Sequence, residues 1–307
     1  MDAPTIRPGE EIAPGLRALR LLGGGHRYEA HVAHSEHLRA LVVAKVLRPG
    51  LDPAALEGMR GEWRMLRALA HPILLRGFGA ELDGRSTSST GTGGPRPHIV
   101  LELIEGPRLS TLIRRDGADL EQLLPLALNL CSVLHYLAAE DVVHLDVKPR
   151  NVIMAAEPRL IDLSIARPVA ELGSLTGPAG TDAYMAPEQC GVGGDGVLAQ
   201  LGPPADVWGL GATLYEAIAG RRPFDGGPGR WPQLRARPAP LGRRVPPALA
   251  SAVLACLEPR PGDRPTAGQL GDALEPLVGA LPAPRIGRFR PRRITPTHHQ
   301  HHQEVPA

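Results

Sequence analysis

The segment from Val142 to Met154, VVHLDVKPRNVIM, constrains this 307-residue chain more than any other stretch. An apolar run typical of a buried strand leads into a loop that carries His144 and Asp146. Lys148 and Asn151 follow two and five residues after Asp146. A carboxylate, an ammonium and an amide this close on one loop can orient a hydroxyl, neutralise a phosphate and hold a divalent cation. The fold must therefore present this loop at a site.

Composition indicates a globular chain and argues against several functional classes. Hydrophobic residues make up 43% and charged residues 21% of the sequence, which favours a folded protein over a disordered one. The 34 Lys plus Arg nearly balance the 32 Asp plus Glu, and a net charge of +2 argues against nucleic-acid binding driven by bulk charge. The length suggests two folding units, or one domain with two lobes.

The cysteines and the apolar windows indicate a protein of the reducing cytosol. Cys131, Cys190 and Cys256 are far apart and form no C-x-x-C pair, so neither a disulfide framework nor a zinc site is expected. The N-terminal residues include early acids and lack the apolar stretch of a signal peptide. The most apolar window, 120–139, contains several polar residues and is predicted to be a buried helix. We therefore predict a cytoplasmic location and no transmembrane segment.

The hydrophobic pattern changes once along the chain, from mainly strand-like to mainly helical after Gly106. Strands are predicted at 16–33, 38–48, 74–82 and 98–104, and helices at 53–70, 108–115, 120–139, 206–220, 247–257 and 266–279. This order predicts an α+β fold in two lobes. The smaller, β-rich N-lobe would cover 12–104, and the larger helical C-lobe would cover 105–280.

Three further segments are predicted to lie outside the regular structure. Residues 1–11 form an N-terminal extension, and the Gly/Ser/Thr-rich stretch 83–97 is predicted to be a flexible loop. Residues 281–307 are rich in proline and histidine and contain five arginines but one glutamate, which predicts a basic, disordered tail. Its THHQHHQ run could bind metal weakly, although a solvated tail is the preferred interpretation.

The loop around Asp146 resembles the catalytic loop of protein kinases, H-R-D-x-K-P-x-N. Other stretches resemble further motifs of that family in the same order, namely VVAK at 42–45, DLS at 162–164, GTDAYMAPE at 180–188, DVWGLG at 206–211 and GDRPTA at 262–267. The resemblance covers roughly 12–280 and is strongest to the eukaryotic-like serine/threonine kinases of bacteria. It implies a bilobal kinase fold and a structural pair between Glu188 and Arg264.

The resemblance assigns one part of the nucleotide site to the VVAK strand and the helix after it. Lys45, preceded by Ala44, would hold the α- and β-phosphates of ATP, and Glu62 would pair with Lys45. Glu57 is a rival on the same helix. Glu62 is preferred because the sequence that follows it, down to His71-Pro72, reproduces the end of that helix in the family.

The glycine-rich loop and the connection between the lobes would complete the nucleotide site. Gly23 and Gly25 match the first two glycines of G-x-G-x-x-G, whereas Tyr28 stands in the third place. A run of this kind taken alone is as compatible with a simple hairpin turn. By resemblance, the segment that contains Glu102 and Ile104 would bind adenine through backbone groups.

The chemistry that the resemblance implies is transfer of the γ-phosphoryl group of ATP to Ser or Thr hydroxyls of proteins. Asp146 would act as the base, Lys148 would stabilise the transferring phosphoryl group and Thr181 would place the substrate. Asn151 and Asp162 would hold Mg²⁺, with Mn²⁺ as an alternative metal. The two lysines of the chain, Lys45 and Lys148, both fall in these motifs.

The partners implied are protein substrates, with possible autophosphorylation, and no specific nucleic acid. Two alternatives stay open. A pseudokinase scaffold that binds partners without turnover is suggested by the altered loop tip, by Leu145 in place of the family's arginine and by Ser164 in place of its glycine. A small-molecule phosphotransferase of related fold is disfavoured by the A-P-E segment at 186–188.

Overall fold

The computed structural model describes residues 4–50, 53–83, 96–115, 119–191, 201–224 and 230–281. A six-stranded sheet with one helix forms the first part of these residues, and helices dominate the rest. This arrangement confirms the predicted α+β fold with a small β-rich lobe and a larger helical lobe. The predicted tail beyond residue 281 and most of the predicted loop 83–97 lie outside the described residues.

The N-lobe sheet is antiparallel, with the strand order β1-β2-β3-β4-β6-β5. Its strands are β1 (Glu11–Ala13), β2 (Leu16–Gly24), β3 (Tyr28–Ser35), β4 (Ala40–Leu47), β5 (Gly77–Glu81) and β6 (His98–Glu102). The strand-like region 16–33 forms two strands, β2 and β3, because the chain turns back between Gly24 and Tyr28. Along β4, Val42, Ala44 and Val46 are buried at the spacing of two that a strand requires.

The helix of the N-lobe, α1 (Pro53–Ala68), begins with proline at its first position, where the missing N–H would have no helical partner in any case. One face of α1 is buried, and it consists of Ala55, Met59, Glu62 and Leu66. Glu62 is therefore a charged residue on an otherwise apolar face. A buried carboxylate is stable only when it has a partner, so its position already indicates an ion pair.

Part of the predicted N-terminal extension belongs to the sheet. Ile6 is buried together with Leu16 and other residues of the sheet. The N–H of Thr5 donates to both carboxylate oxygens of Glu29, at 2.9 and 3.1 Å. Glu29 is only 1% exposed and also contacts His31 and Arg48. Burial by itself raises the pKa of Glu29, but the bonds from Thr5 and His31 lower it below its ordinary value.

The helices of the C-lobe are α2 (Leu109–Arg115), α3 (Leu120–Ala139), α4 (Pro203–Ala219), α5 (Pro247–Ala255) and α6 (Ala267–Gly279). The lobe is built around two of them, α3 and α4, which contribute the most buried residues. Helix α3 packs against α4 and α6. Glycine is required in α4 because a Cβ on Gly211 would lie 2.5 Å from the Cβ of Cys256, and one on Gly209 would lie 2.9 Å from the carbonyl oxygen of Val147. Gly209 therefore lets the loop that carries Asp146 approach α4, and Gly211 lets Cys256 approach it.

Helix α3 is long and apolar enough to cross a membrane by length and composition alone, and it is the one such helix among the described residues. Half of its most apolar stretch is buried inside the protein. Leu130, Val133 and Leu137 are fully buried in the main hydrophobic core. This packing agrees with the predicted core helix.

Short strands position the functional loops beside the core. The strand β7 (Val142–Val143) pairs with β10 (Arg167–Pro168), and β8 (Val152–Ile153) pairs with β9 (Arg159–Leu160). The loop that carries Asp146 therefore lies between β7 and β8, and Asp162 follows β9. Leu160 forms a bridge to Leu74, so β9 is fixed to the chain segment that leads into β5.

Candidate active site

Asp146 is the centre of a group of hydrogen-bonded side chains. Its Oδ1 accepts from the Thr181 hydroxyl at 2.7 Å, and its Oδ2 accepts from Lys148 Nζ at 2.6 Å and from Asn151 Nδ2 at 3.1 Å. Lys148 Nζ also donates to Thr181 Oγ1 at 2.6 Å. The structure thus brings together all four residues predicted to be catalytic. Asp146 is oriented as a hydrogen-bond acceptor on both oxygens.

Asp206, near the start of α4, binds the backbone of this loop. The Asp206 carboxylate accepts from the N–H of His144 at 2.7 Å and from the N–H of Leu145 at 2.8 Å. Burial raises the pKa of Asp206, and these two backbone bonds oppose that rise. Leu145 has a φ of 66°, which is costly for a branched residue and is retained where the surrounding contacts fix the backbone. The peptide before Asp146 is therefore rigidly placed.

Lys45 forms an ion pair with Glu62 and contacts Asp162. Its Nζ lies 2.9 and 2.7 Å from the two carboxylate oxygens of Glu62 and 3.4 Å from Oδ1 of Asp162. Burial alone would lower the pKa of Lys45, but the two carboxylates raise it above its ordinary value. Glu57 is exposed and pairs with Arg60 instead. The contact predicted for Glu62 is thus present, and the rival has no part in it.

Asp162 has the backbone and the charge expected of a functional carboxylate. Its φ is 73°, in the left-handed region, and strain of this kind is concentrated at functional sites. Burial would raise the pKa of Asp162, but the charge of Lys45 and a hydrogen bond with the Ser164 side chain lower it to about 2. The carboxylate is therefore ionised at any physiological pH.

Asp162 and Asn151 were both predicted to be metal ligands, and their chemistry fits that prediction. The amide nitrogen of Asn151 donates to the backbone oxygen of Asp146 at 2.9 Å, which leaves its amide oxygen as the possible ligand. No cluster of three or more His, Cys, Asp or Glu side chains suited to a metal occurs among the described residues. A hard cation held here would need further oxygens from phosphates and water, as Mg²⁺ commonly does.

The glycine-rich turn joins β2 and β3. The N–H of Gly25 donates to the Tyr28 carbonyl at 3.0 Å and so closes the turn. Gly24 must lack a side chain, because a Cβ there would lie 2.6 Å from that carbonyl oxygen. Gly23 has a φ of 156°, which glycine adopts readily. The turn is a hairpin in which the Gly25 N–H is already used. Its role toward a phosphate stays a prediction.

The connection between the lobes begins at Glu102, the last residue of β6. Its N–H donates to the Arg76 carbonyl, and its carboxylate lies 3.6 Å from the Arg159 guanidinium. Strand pairing sets Val42 opposite Glu102, so Ala44 and Glu102, both predicted to bind the nucleotide, lie on neighbouring strands. Ile104, like Glu102, is half-buried. Their role toward a nucleotide stays a prediction.

The end of the segment that contains Thr181 is fixed to the C-lobe. The Arg264 guanidinium donates to both oxygens of Glu188, at 2.6 and 2.9 Å, and both side chains are almost fully buried. Gln189 Nε2 donates to the carbonyls of Leu145 and Ala179, at 2.8 and 2.7 Å. These bonds tie the segment directly to the loop that carries Asp146. The sequence predicted the first pair, but it gave no sign of the Gln189 bridge.

We expect Ser164→Gly to increase the affinity for inhibitors that select a flipped orientation of Asp162, by roughly tenfold. A glycine at 164 lacks the side chain that bonds to Asp162. It also lets residue 164 adopt the positive φ that the flipped orientation requires, which serine resists. Ser164→Ala is the matched variant, because it loses only the hydroxyl. Inhibitor dissociation constants measure the effect, and an unchanged constant for Ser164→Gly would show that Ser164 imposes no restraint.

A two-lobed α+β chain in which a buried lysine–glutamate pair lies beside an Asp–Asn–Lys loop belongs to the class of phosphoryl-transfer domains. The protein kinase domain model matches residues 16–273, which is most of the chain. The chain therefore belongs to the protein kinase family.

The curated relatives are bacterial serine/threonine-protein kinases. The chain is 34% identical to PknB of Mycobacterium leprae over 214 residues, which covers 67% of this chain and 32% of that protein. It is 32% identical to PknB of Mycolicibacterium smegmatis over 284 residues, or 87% of this chain and 44% of the relative. The chain is 29% identical to PknA of Mycobacterium tuberculosis over 299 residues, or 93% of this chain and 65% of the relative. The chain thus spans less than half the length of the PknB proteins.

Proposed function

We propose that this chain is a protein kinase that transfers the γ-phosphoryl group of ATP to Ser and Thr hydroxyls of proteins. One observation carries the proposal. Asp146 accepts hydrogen bonds from Thr181, Lys148 and Asn151, while Lys45 contacts both Glu62 and Asp162. The first group suits an acceptor hydroxyl, and the second suits a nucleotide phosphate.

The residues of the catalytic loop divide the work of transfer. The acceptor hydroxyl gives its proton to Asp146 as its oxygen forms a bond to the γ-phosphorus, and the bond from that phosphorus to the bridging oxygen breaks to release ADP. Lys148, 2.6 Å from Asp146 Oδ2, places a point charge beside the transferring group. Thr181 bonds both residues and so keeps them in register.

The nucleotide is ATP in this proposal, with Mg²⁺ as the metal and Mn²⁺ as a possible substitute. Lys45 would hold the α- and β-phosphates while Glu62 keeps its ammonium in place. Asn151 and ionised Asp162 would supply the protein oxygens for the metal, which would neutralise phosphate charge when bound. Gly23, Gly25, Ala44 and the backbone of Glu102 and Ile104 would enclose the rest of the nucleotide.

The substrates proposed are proteins that bear Ser or Thr, and autophosphorylation is included. Lys148 supports this class, because tyrosine-specific members of the family usually lack a lysine at its place. The cytosolic location predicted from the sequence is part of this proposal.

The test is transfer of labelled γ-phosphate from ATP to a generic basic protein by the purified chain, followed by identification of the labelled amino acid. Phosphoserine or phosphothreonine is expected. Comparing the phosphoproteome of a strain that carries Lys45→Ala with that of its parent would then identify physiological substrates. Absence of transfer at any divalent metal concentration would contradict the proposal.

The alternative of a pseudokinase is not favoured. Each side chain to which the resemblance gives a direct chemical role is present. Lys45 contacts Glu62, as predicted, and Lys148 contacts Asp146. The relatives are named as serine/threonine-protein kinases. Leu145 and Ser164 alter the surroundings of the site without removing a reacting group.

Activity is expected to persist when Ser174 and Thr176 are both replaced by Ala. They are the hydroxyl side chains between residues 165 and 180, and both are exposed. Many kinases bind a phosphate on this segment through the arginine before the catalytic Asp, but Leu145 cannot pair with one. Phosphorylation of a basic protein substrate measures the result. A loss beyond about tenfold, or ~1.4 kcal/mol on the barrier, would indicate phosphate control through another cation, with Arg167 to be tested first.

A further inference from the structure

Tyr28 stands at the third position of the glycine-rich pattern, and its side chain points into the N-lobe. Its hydroxyl donates to the carbonyl oxygen of Ala55 at 2.8 Å. The Nζ of Lys45 lies 4.9 Å from the centroid of its ring, within the range of a cation–π contact. One side chain thus contacts the buried lysine and the helix that carries Glu62, and its backbone closes the glycine-rich turn.

The bond to Ala55 acts on the same face of α1 as Glu62. These two residues are seven positions apart, which is two turns, and both are buried. A backbone carbonyl has two lone pairs, so that of Ala55 can accept from Tyr28 in addition to a helical N–H. Burial raises the pKa of Tyr28, so its hydroxyl stays a donor. The bond fixes the first turn of α1 against the start of β3.

Gly58 leaves the room that this hydroxyl needs. A Cβ on Gly58 would lie 3.3 Å from Tyr28 Oη, which is tighter than an ordinary contact. Gly61, on the same helix, has only the end of the Arg64 side chain nearby, 3.8 Å from such a Cβ. Glycine within a helix is unfavourable relative to alanine, and at 58, unlike at 61, it leaves the space that a neighbouring side chain occupies.

We propose that Tyr28 is a positioning residue that holds α1, and with it Glu62, in register with Lys45. The glycine-rich turn and the helix are thereby connected by a side chain at the place where the kinase pattern has none. The inference rests on the proposed kinase function for its kinetic consequence, but its structural consequence can be measured without turnover.

The experiment compares the parent with Tyr28→Phe, Gly58→Ala, Gly61→Ala and the double variant Tyr28→Phe/Gly58→Ala. Amide hydrogen exchange in α1 reports the position of the helix, and kcat/KM for ATP reports the Lys45–Glu62 pair. Tyr28→Phe keeps the ring and loses the bond, so about three- to tenfold faster exchange and a similar fall in kcat/KM are expected. Gly58→Ala should act in the same direction because it displaces the hydroxyl.

Gly61→Ala is the matched control, since it gains the same helix propensity and touches no hydroxyl. It should leave exchange in α1 unchanged or slower. In the double variant, Gly58→Ala should cause no further rise in exchange and no further fall in kcat/KM, because phenylalanine has no hydroxyl to displace. This non-additivity separates positioning from a general loss of stability.

Parental exchange in Tyr28→Phe, or identical behaviour of Gly58→Ala and Gly61→Ala, would overturn the inference. Should Tyr28→Phe fail to fold, the two glycine variants decide alone. A parent chain that transfers no phosphate would contradict the proposed function, whereas the exchange measurements would still decide the role of Tyr28.

Discussion

Asp146→Asn is expected to lower turnover by about 10²–10⁴-fold while nucleotide affinity stays nearly unchanged. The variant removes the group that takes the proton of the acceptor hydroxyl. Both oxygens of Asp146 receive hydrogen bonds, from Thr181 on one side and from Lys148 and Asn151 on the other. An amide would turn its NH₂ toward donors on one of these sides, so the loop loses a bond as well as its base.

The matched control for this variant is Asp141→Asn, five residues earlier. Asp141 is exposed and has a φ of 53°, a conformation that asparagine tolerates well. It should retain full turnover. Single-turnover kinetics and nucleotide titration measure the two quantities separately. Near-parental turnover in Asp146→Asn would mean that another group accepts the proton.

Lys45→Arg is expected to reduce phosphotransfer by about 10²-fold or more, although the positive charge is kept. The ammonium of Lys45 lies within 2.9 Å of both carboxylate oxygens of Glu62 and 3.4 Å from Asp162, with the ring of Tyr28 on another side. A planar guanidinium is wider than an ammonium and cannot occupy that space without moving one of these groups. Both the contact of residue 45 with the ATP phosphates and its ion pair with Glu62 should therefore be weakened.

Arg67→Lys is a suitable control for this exchange, because Arg67 lies on the same helix as Glu62 but is exposed. It should behave as the parent does. ATP affinity and phosphotransfer are measured for both variants. If Lys45→Arg phosphorylates as fast as the parent, a compact ammonium is not required at this position.

The local part of the site could be predicted from the sequence, because its residues are close together along the chain. Asp146, Lys148 and Asn151 lie within six residues, so any loop places them near one another. Glu62 was preferred to Glu57 because the residues after it resemble the end of the family's helix, and the structure adds a local reason. Glu62 is in phase with the buried Met59, whereas Glu57 projects toward solvent.

Other features depend on contacts between distant segments, and no local pattern reports them. The burial of Ile6 and the bonds from Thr5 to Glu29 follow from how the chain returns across the sheet, so residues 1–11 were predicted to be a separate extension. The direction of the Tyr28 side chain depends on the placement of α1. An aromatic residue at a glycine position was the one available signal, and it indicated only a bulkier loop tip.

Element boundaries shifted for identifiable reasons. The strand predicted at 74–82 begins at Gly77, because Leu74 bridges to Leu160 instead of joining the sheet. The helix predicted at 206–220 begins at Pro203, since proline is well suited to the first turn of a helix. In both cases the type of element was predicted correctly.

The placement of Lys45 and Lys148 has a consequence for chemical labelling. Both ammonium groups lie in the proposed active site, each is about 15% exposed, and each contacts a carboxylate within 2.8 Å. The remaining basic side chains that carry a fixed charge are arginines, which do not react as amines. Apart from the α-amino group, amine-directed acylating reagents therefore find their targets only at these two lysines of the proposed active site. Such reagents should modify the folded protein slowly, and the extent of modification should report whether ATP protects that site.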